Sequence, residues 1–394
     1  MIAVERALEL VLEHTQISND LESISVDDAL NRVLAEDILA PLSLPPFRQS
    51  IMDGYALNLS ESLSYKVIGE TKTGDNIEFS LQHGEAIRIF TGAMVPETAN
   101  AVVMQEHVTV NGSNIELKTQ PTLGQHIRNI GAQIKKGDQS LQKGEVINPA
   151  GIGILKSFGI GQIKVNKLPT ISIITTGNEL VPAGNPLEPG QIYESNGSVI
   201  QAALQAKGIE VRNSYKVKDS LEATQNAIEK AIKDSDIVLI SGGISVGDYD
   251  FVSTDLHNLD VKEIFYKVLQ KPGKPLYFGK KNGTYLFALP GNPASTLTCL
   301  YVYVFTLIDK YLGCKTNGLK RLKFSISDHF ENPFGRALFL KAKLEGSEVT
   351  ILTQQNSAMI MSFARADALV YIPAYCSKLK KGDMVETLIL PQMS

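Results

Sequence analysis

The chain has 394 residues, 43% hydrophobic and 20% charged, with 38 Lys and Arg against 42 Asp and Glu and a formal net charge of −4. That apolar fraction sustains globular cores and excludes wholesale disorder. The near balance of charge argues against a general nucleic-acid or membrane-surface binder, which carries a basic excess. At roughly 100–200 residues per domain, the length asks for several domains. The longest strongly apolar run, Cys299 to Ile308, is far short of the roughly 18 residues a bilayer span needs. The opening MIAVERALELVLEH lacks a secretory pattern. Three cysteines without CxxC spacing and six histidines without HxxxH indicate neither a disulfide framework nor a zinc site. The expectation is a cytoplasmic multidomain protein with no nucleic-acid or membrane partner.

The first forty residues read as helix: Val4, Ala7, Leu8 and Val11 recur at helical spacing, and Ser25 is placed to cap a second helix through Val26–Leu34. A proline-rich hinge, Pro41–Phe47, follows. From Tyr65 to about Leu117 the pattern predicts short strands, with Asn111-Gly112 as a type I′ hairpin signal. A glycine-punctuated stretch then holds a helix starting near Pro149 and a closing strand. It reads as a return to the N-terminal unit, which makes that unit discontinuous.

From Pro169 strands and helices alternate. A strand at Thr170–Thr176 is followed by a helix from Asn196 to Lys207, stopped by Gly208. Asp219 and Glu222 have the spacing of a capping box ahead of a helix to Lys233. The strand Asp236–Ser241 enters a glycine-rich turn and a helix from Phe251. Next come a strand at Lys262–Val268, the turn Lys271–Pro275 and a hairpin at Asn282-Gly283. The strand Thr284–Pro290 meets a helix with Pro293 near its start and Gly313 past its end. That succession is a doubly wound α/β domain. After Lys320, short strands with turns make a small barrel or sandwich.

In open parallel sheets ligands bind beyond the carboxyl ends of the strands. Three polar turns fall there: Thr175–Glu179, Ser241 through Asp250, and Leu289–Pro293. Their convergence points to a ligand crevice, with Ser241, Gly242, Gly243, Ser245, Gly247, Asp248, Pro290, Gly291, Asn292 and Pro293 as its substrate-binding candidates. Gly242 to Gly247 has the GxxxxG spacing of a phosphate loop, but Asp248 stands where a P-loop needs Lys, so that reading fails. Gly151 and Gly153 lack the third glycine of a dinucleotide fingerprint, having Lys156 there. What remains is a backbone that can approach an anion, followed by Asp248 and Asp250, which suit a Mg²⁺ ion bridging to phosphate; the other reading of Asp248 is a helix cap. Lys267, Lys271 and Lys274 lie on or just after a strand, and the two prolines of the Lys271–Pro275 turn hold two ammonium groups on a rigid frame. That suits an oxyanion, or else is a solvated basic turn. Glu179 is a ligand candidate at a strand end. Taken alone, Asp53 reads as a turn acid and Asp219 as a helix cap.

Together the stretches PPFRQSIMDGYA, IFTGAMVP, TTGNEL, SGGISVGDYD, KPGKP, LPGNPAS and QNSAMIMSFARADAL, running from Pro45 to Leu369, resemble the molybdopterin molybdenumtransferase family (MoeA-type enzymes and the E domain of gephyrin). The resemblance implies a mixed α/β and β multidomain fold. It has an elongated linker domain (1–45 with 136–168), a small β-rich domain (46–135), a molybdopterin-binding α/β domain (169–317) and a C-terminal β-barrel (318–394). It also implies a homodimer with shared active sites. The implied reaction inserts molybdate, a substrate, into adenylylated molybdopterin and releases AMP, with Mg²⁺ as cofactor.

By motif, Asp53, Thr91, Glu179, Asp219, Asp250, Lys267 and Lys271 match functional positions, with Glu179 and Asp250 expected at the metal. Lys271, Lys274, Ser295, Lys341 and Ser357 match positions that hold molybdate. The chain departs from the family pattern at Gln133, where an acid is usual, and at Arg48-Gln49 and Asn356. It departs again at Lys341, where the usual arginine would offer a bidentate fork. Contacts with the adenylyltransferase that supplies substrate and with apo-molybdoenzymes are expected. The alternatives are molybdopterin adenylylation, whose single-domain enzymes carry GGTG where this chain has Ile244-Ser245, and a non-catalytic gephyrin-like scaffold. Retention of Asp53, Glu179, Asp250, Lys271 and Ser357 disfavours the scaffold.

Overall fold

The computed structural model describes residues 1–76, 78–218, 220–244 and 251–391, with the backbone alone for 251–253. Asp219, Ser245, Gly247, Asp248 and Asp250 lie outside the described residues. The chain divides into two compact units, one of residues 1–35, 144–148 and 162–394, the other of 36–143 and 149–161. Among the described residues no helix is long and apolar enough to cross a membrane.

The larger unit is built on a six-stranded sheet. Four parallel strands run in the order Val211–Val217, Ile171–Thr176, Ile237–Ser241, Thr284–Leu289, followed by antiparallel Tyr277–Lys281 and Lys262–Tyr266. The three strands from 171, 237 and 284 are buried at every residue. The apolar runs Ile237–Ile240 and Tyr285–Leu289 suit a sheet covered on both faces, and in Ile171–Thr176 the polar residues Ser172, Thr175 and Thr176 are buried beside them. Ile200 and Leu204 of the helix Asn196–Ala206, Leu307 and Ile308 of the helix Phe305–Tyr311, and Val4, Ala7 and Val11 of the first helix share one core. Ala227, Ile228 and Leu256, from the helices Leu221–Asp234 and Phe251–Asn258, cover the other face.

The C-terminal strands close into a barrel. Its order is Ala337–Glu345, Glu348–Ile351, Arg321–Ile326, Met384–Ile389 and Ala368–Ile372, which pairs back with the first. Along Ala337–Glu345 the strand period of two sends Leu338, Leu340 and Ala342 into the barrel core. Ala337 and Phe339 join the core of the α/β sheet instead. A two-residue strand, Gln270–Lys271, pairs in parallel with Ala337 and Leu338, which ties the lysine-bearing turn to the barrel.

The smaller unit holds a six-stranded mixed sheet in the order Ala101–Met104, Gly54–Leu57, Glu85–Ile89, Ser64–Thr71, Asn114–Leu117, Val108–Asn111.

Three local expectations are corrected. Leu21–Ser25 is a strand paired antiparallel with Gln162–Asn166, where helix was expected. The helix expected over Val26–Leu34 shrinks to a single turn, Val26–Asp28, with Ser25 Oγ accepting from the Asp27 N–H. Backbone bonds of Leu34 to Glu145 and of Ala35 to Lys164 take the place of helical ones. The helix Leu221–Asp234 is capped by Ser220, whose Oγ accepts from the Ala223 N–H at 3.3 Å, one residue after the expected cap at Asp219, which lies outside the described residues. The hairpin near Asn111 turns one residue later. Asn111 pairs with Asn114, and of the loop residues only Gly112 has positive φ, which a type I′ turn would need at both. At Asn282-Gly283 both φ values are positive, at 52° and 94°, as that turn requires.

Candidate active site

Register brings the strand ends together. Thr175 pairs with Ser241 and Ser241 with Leu289, so the three polar turns leave the sheet side by side. They line a cavity of about 840 Å³. Gly242 has φ of +98°, and a Cβ there would stand 2.2 Å from the Thr176 carbonyl oxygen, so only glycine permits this close crossing of strand ends. Asn196, at the start of its helix, donates from Nδ2 to Ser241 Oγ at 3.0 Å and to the Gly291 carbonyl at 2.7 Å, bracing two of the turns. Thr175 Oγ1 and Asn196 Oδ1 are buried on the cavity wall with no hydrogen-bond partner among the described residues. Such groups are costly unless a ligand or water meets them. Ser241, Gly242, Pro290, Gly291, Asn292 and Pro293 all line the cavity, as does Glu179. Gly243, with φ of +63°, follows in the same turn.

The Lys271–Pro275 turn forms a second wall, bearing Lys271 and Lys274. Buried Gln270 shapes it by donating from Nε2 to the Pro272 and Gly273 carbonyls at 3.1 and 3.2 Å, and it accepts from the Tyr303 hydroxyl. The pairing of Gln270–Lys271 with the barrel brings in residues that sequence reading missed. Lys271 Nζ stands 3.8 Å from the centre of the Phe334 ring and the Arg336 guanidinium 5.6 Å from it. Arg336 lines the cavity. The local signal is only a Gly-Arg pair ahead of a strand; its place depends on that long-range pairing.

Ser357 lines the cavity on a barrel loop. Its hydroxyl accepts from Asn292 Nδ2 at 3.1 Å, and its carbonyl accepts from the Ala294 N–H at 3.0 Å. Ser295 also reaches the lining but is 2% exposed. Lys341, expected to touch molybdate, is placed differently. Its side chain is 1% exposed. Nζ donates to the Gln354, Asn356 and Met359 carbonyls at 3.1, 3.4 and 3.2 Å. Burial pushes its ammonium down to about 8. Lys267 is also outside the lining, with Nζ 4.3 Å from the centre of the Tyr266 ring.

Asp53 and Thr91 belong to the smaller unit. Gly54 pairs with Ile89, so the residue before one strand meets the loop after the other. Asp53 Oδ1 accepts from both the Thr91 hydroxyl and the Thr91 N–H at 2.7 Å. The hydroxyl first, and then the N–H, holds the carboxyl below the usual range.

For Mg²⁺, Glu179 offers exposed carboxylate oxygens on the cavity wall, the hard donors that ion takes. Among the described residues no cluster of three or more His, Cys, Asp or Glu is placed to hold a metal, so a full site would draw on residues beyond them, substrate or water.

Comparison with known proteins agrees along the whole chain. Residues 2–159 match the family described as MoeA N-terminal region (domain I and II), 172–310 the probable molybdopterin binding domain, and 325–390 the MoeA C-terminal region (domain IV). The molybdopterin molybdenumtransferase of Haemophilus influenzae is 37% identical, covering 98% of each chain. That of Staphylococcus epidermidis is 33% identical over 98% of this chain and 95% of its own. The crystal structure of a molybdopterin biosynthesis moeA protein from Pyrococcus horikoshii superposes with a TM-score of 0.85 at 28% identity, covering 99% of this chain and all of that one. The chain therefore belongs to the molybdopterin molybdenumtransferase family.

Proposed function

We propose that the protein inserts molybdate into adenylylated molybdopterin with release of AMP, a late step of molybdenum cofactor biosynthesis. The observation that carries this is the wall opposite the glycine turn. Lys271, Lys274, Arg336 and the Ser357 hydroxyl line one cavity with the carboxyl ends of three parallel strands. A tetrahedral dianion wants ammonium, guanidinium and hydroxyl donors, and the rigid turn holds two of them. The backbone at Gly242 lets a phosphate-bearing ligand approach the sheet.

The chain's own residues bind, orient and neutralise charge, and no protein nucleophile is needed. Lys271 and Lys274 balance the charge of molybdate, and Ser357 donates to one of its oxygens. Thr175 and Asn196 supply buried polar atoms to the pterin-nucleotide. We assign Mg²⁺ to Glu179 with Asp250, the latter outside the described residues. When bound, the ion neutralises the pyrophosphate-like linkage. Asp53 and Thr91, with Asp219 and Lys267, keep the functional roles the family resemblance gives them. That resemblance, spanning the chain, also supports four domains, a cytoplasmic homodimer with shared active sites, and transfer partners in the adenylyltransferase and the apo-molybdoenzymes.

The test against the preceding step is incubation with ATP and molybdopterin without molybdate. No adenylylated product is expected; its formation would assign the protein to adenylylation.

A further inference from the structure

We infer that Lys341 is a positioning residue, which sets the Ser357 hydroxyl on the cavity wall by holding the backbone of the Gln354–Met359 loop. The inference rests on the reading of the cavity as a molybdate site. Lys341 lies on the face of its strand that carries Ala337 and Phe339 out of the barrel, and it is 1% exposed. Among the described residues no carboxylate partners it. Its three donors go to the carbonyls of Gln354, Asn356 and Met359, which flank Ser357 on both sides in sequence. The Ser362 hydroxyl donates to two of those carbonyls, at 2.9 and 3.1 Å. The Gln355 side chain closes on Lys341 from the other direction, donating to its carbonyl at 2.8 Å and accepting from its N–H at 3.0 Å.

A loop of this kind lacks a ladder of its own, and Gln354 holds a positive φ of 61°, a conformation that costs free energy unless its surroundings enforce it. The buried ammonium is the group on which the loop's carbonyls converge. What it fixes is visible at the loop's far side, where the Ser357 carbonyl meets the Ala294 N–H and its hydroxyl meets Asn292. A lysine so enclosed cannot reach an ion in the cavity without leaving all three carbonyls unpaired.

The test uses the full chain and K341M, which keeps an unbranched side chain but removes the donors. Molybdate dependence of turnover and amide hydrogen exchange are both read. The expected result is a KM for molybdate raised roughly tenfold with kcat within about twofold, and faster exchange at the loop amides and at Ala294. A residue acting through Ser357 adds nothing once Ser357 is gone, so K341M/S357A should match S357A within about twofold. Additive losses in the double variant would make Lys341 an independent contact and overturn the proposal, as would unchanged exchange. Should K341M not fold, K341Q, which retains fewer donors, is expected to move the same readouts in the same direction, and no movement overturns the inference. If the unaltered protein takes no molybdate, the functional reading fails, and the exchange data alone decide the role of Lys341 in the loop.

Discussion

The Asn292 side-chain amide donates to the Ser357 hydroxyl at 3.1 Å. One hydrogen bond thus joins the turn after a central strand of the α/β sheet to a loop of the C-terminal barrel, on the wall of a common cavity. The lone pairs and proton of Ser357 are oriented by this contact. Replacing Asn292 with Ala should raise the KM for molybdate about fivefold, the worth of one ordinary hydrogen bond. Asn292→Asp places a carboxylate beside the oxyanion and should cost more. Steady-state kinetics against molybdate concentration check both, and an unchanged KM in N292D would remove Asn292 from the site.

Gly273 sets the Lys271–Pro275 turn. Its φ is +86°, and a Cβ would fall 2.5 Å from Cys299 Sγ and 2.9 Å from Gln270 Nε2. Gly273→Ala should therefore lower stability by about 2 kcal/mol and raise the KM for molybdate, because relief of the clash moves both lysines. Urea unfolding and kinetics on the same sample measure the two effects.

How much of this was legible in the sequence depends on range. The α/β domain is readable because its signals are local: short runs rich in β-branched and aromatic residues, Gly208 and Gly313 as stops, and Asn282-Gly283 with the two positive φ values its turn needs. The strand-end turns follow from topology, since parallel strands present their carboxyl ends on one edge. Leu21–Ser25 was hidden because its strand character comes from pairing with Gln162–Asn166, a partner remote in sequence. Arg336 was hidden likewise, because only the Gln270–Ala337 pairing carries it to the cavity. Lys341 is visible as a residue, but the direction of its side chain, whose Nζ meets the Gln354, Asn356 and Met359 carbonyls, is not. No local pattern says whether a strand lysine turns to a ligand or to backbone carbonyls.

Lys207 and Asp309 form a shielded ion pair, Nζ to Oδ1 at 2.5 Å, with the Asp309 side chain 8% exposed. Burial raises the Asp309 carboxyl above its ordinary value, and Lys207 opposes that rise. A carboxyl with a raised folded pKa binds its proton more tightly in the folded state, so stability falls as pH climbs from the unfolded value through the folded one. Lys207→Met removes the opposing charge and raises the carboxyl further. The variant should lose about 3 kcal/mol at neutral pH and less at a lower pH, as protonation relieves the stranded charge. Denaturant unfolding at the two pH values reads the difference; an equal loss at both would contradict it.

Thr91 holds Asp53 in its charged form by two hydrogen bonds. Thr91→Val removes the hydroxyl, the larger influence, and keeps the N–H. The Asp53 carboxyl should then titrate at higher pH than in the unaltered protein, toward the ordinary aspartate value. A carbon-13 titration of the carboxyl resolves this, and no displacement would mean the hydroxyl is not what holds it.

The proposed reaction requires the strand-end cavity to bring adenylylated molybdopterin and molybdate together. It is tested most directly by measuring AMP released from adenylylated molybdopterin against molybdate concentration, with and without Mg²⁺, for the unaltered protein and for K271A. Saturable, molybdate- and Mg²⁺-dependent AMP release is expected, reduced at least tenfold in kcat/KM by K271A. AMP release that ignores molybdate, or that K271A leaves intact, would contradict it.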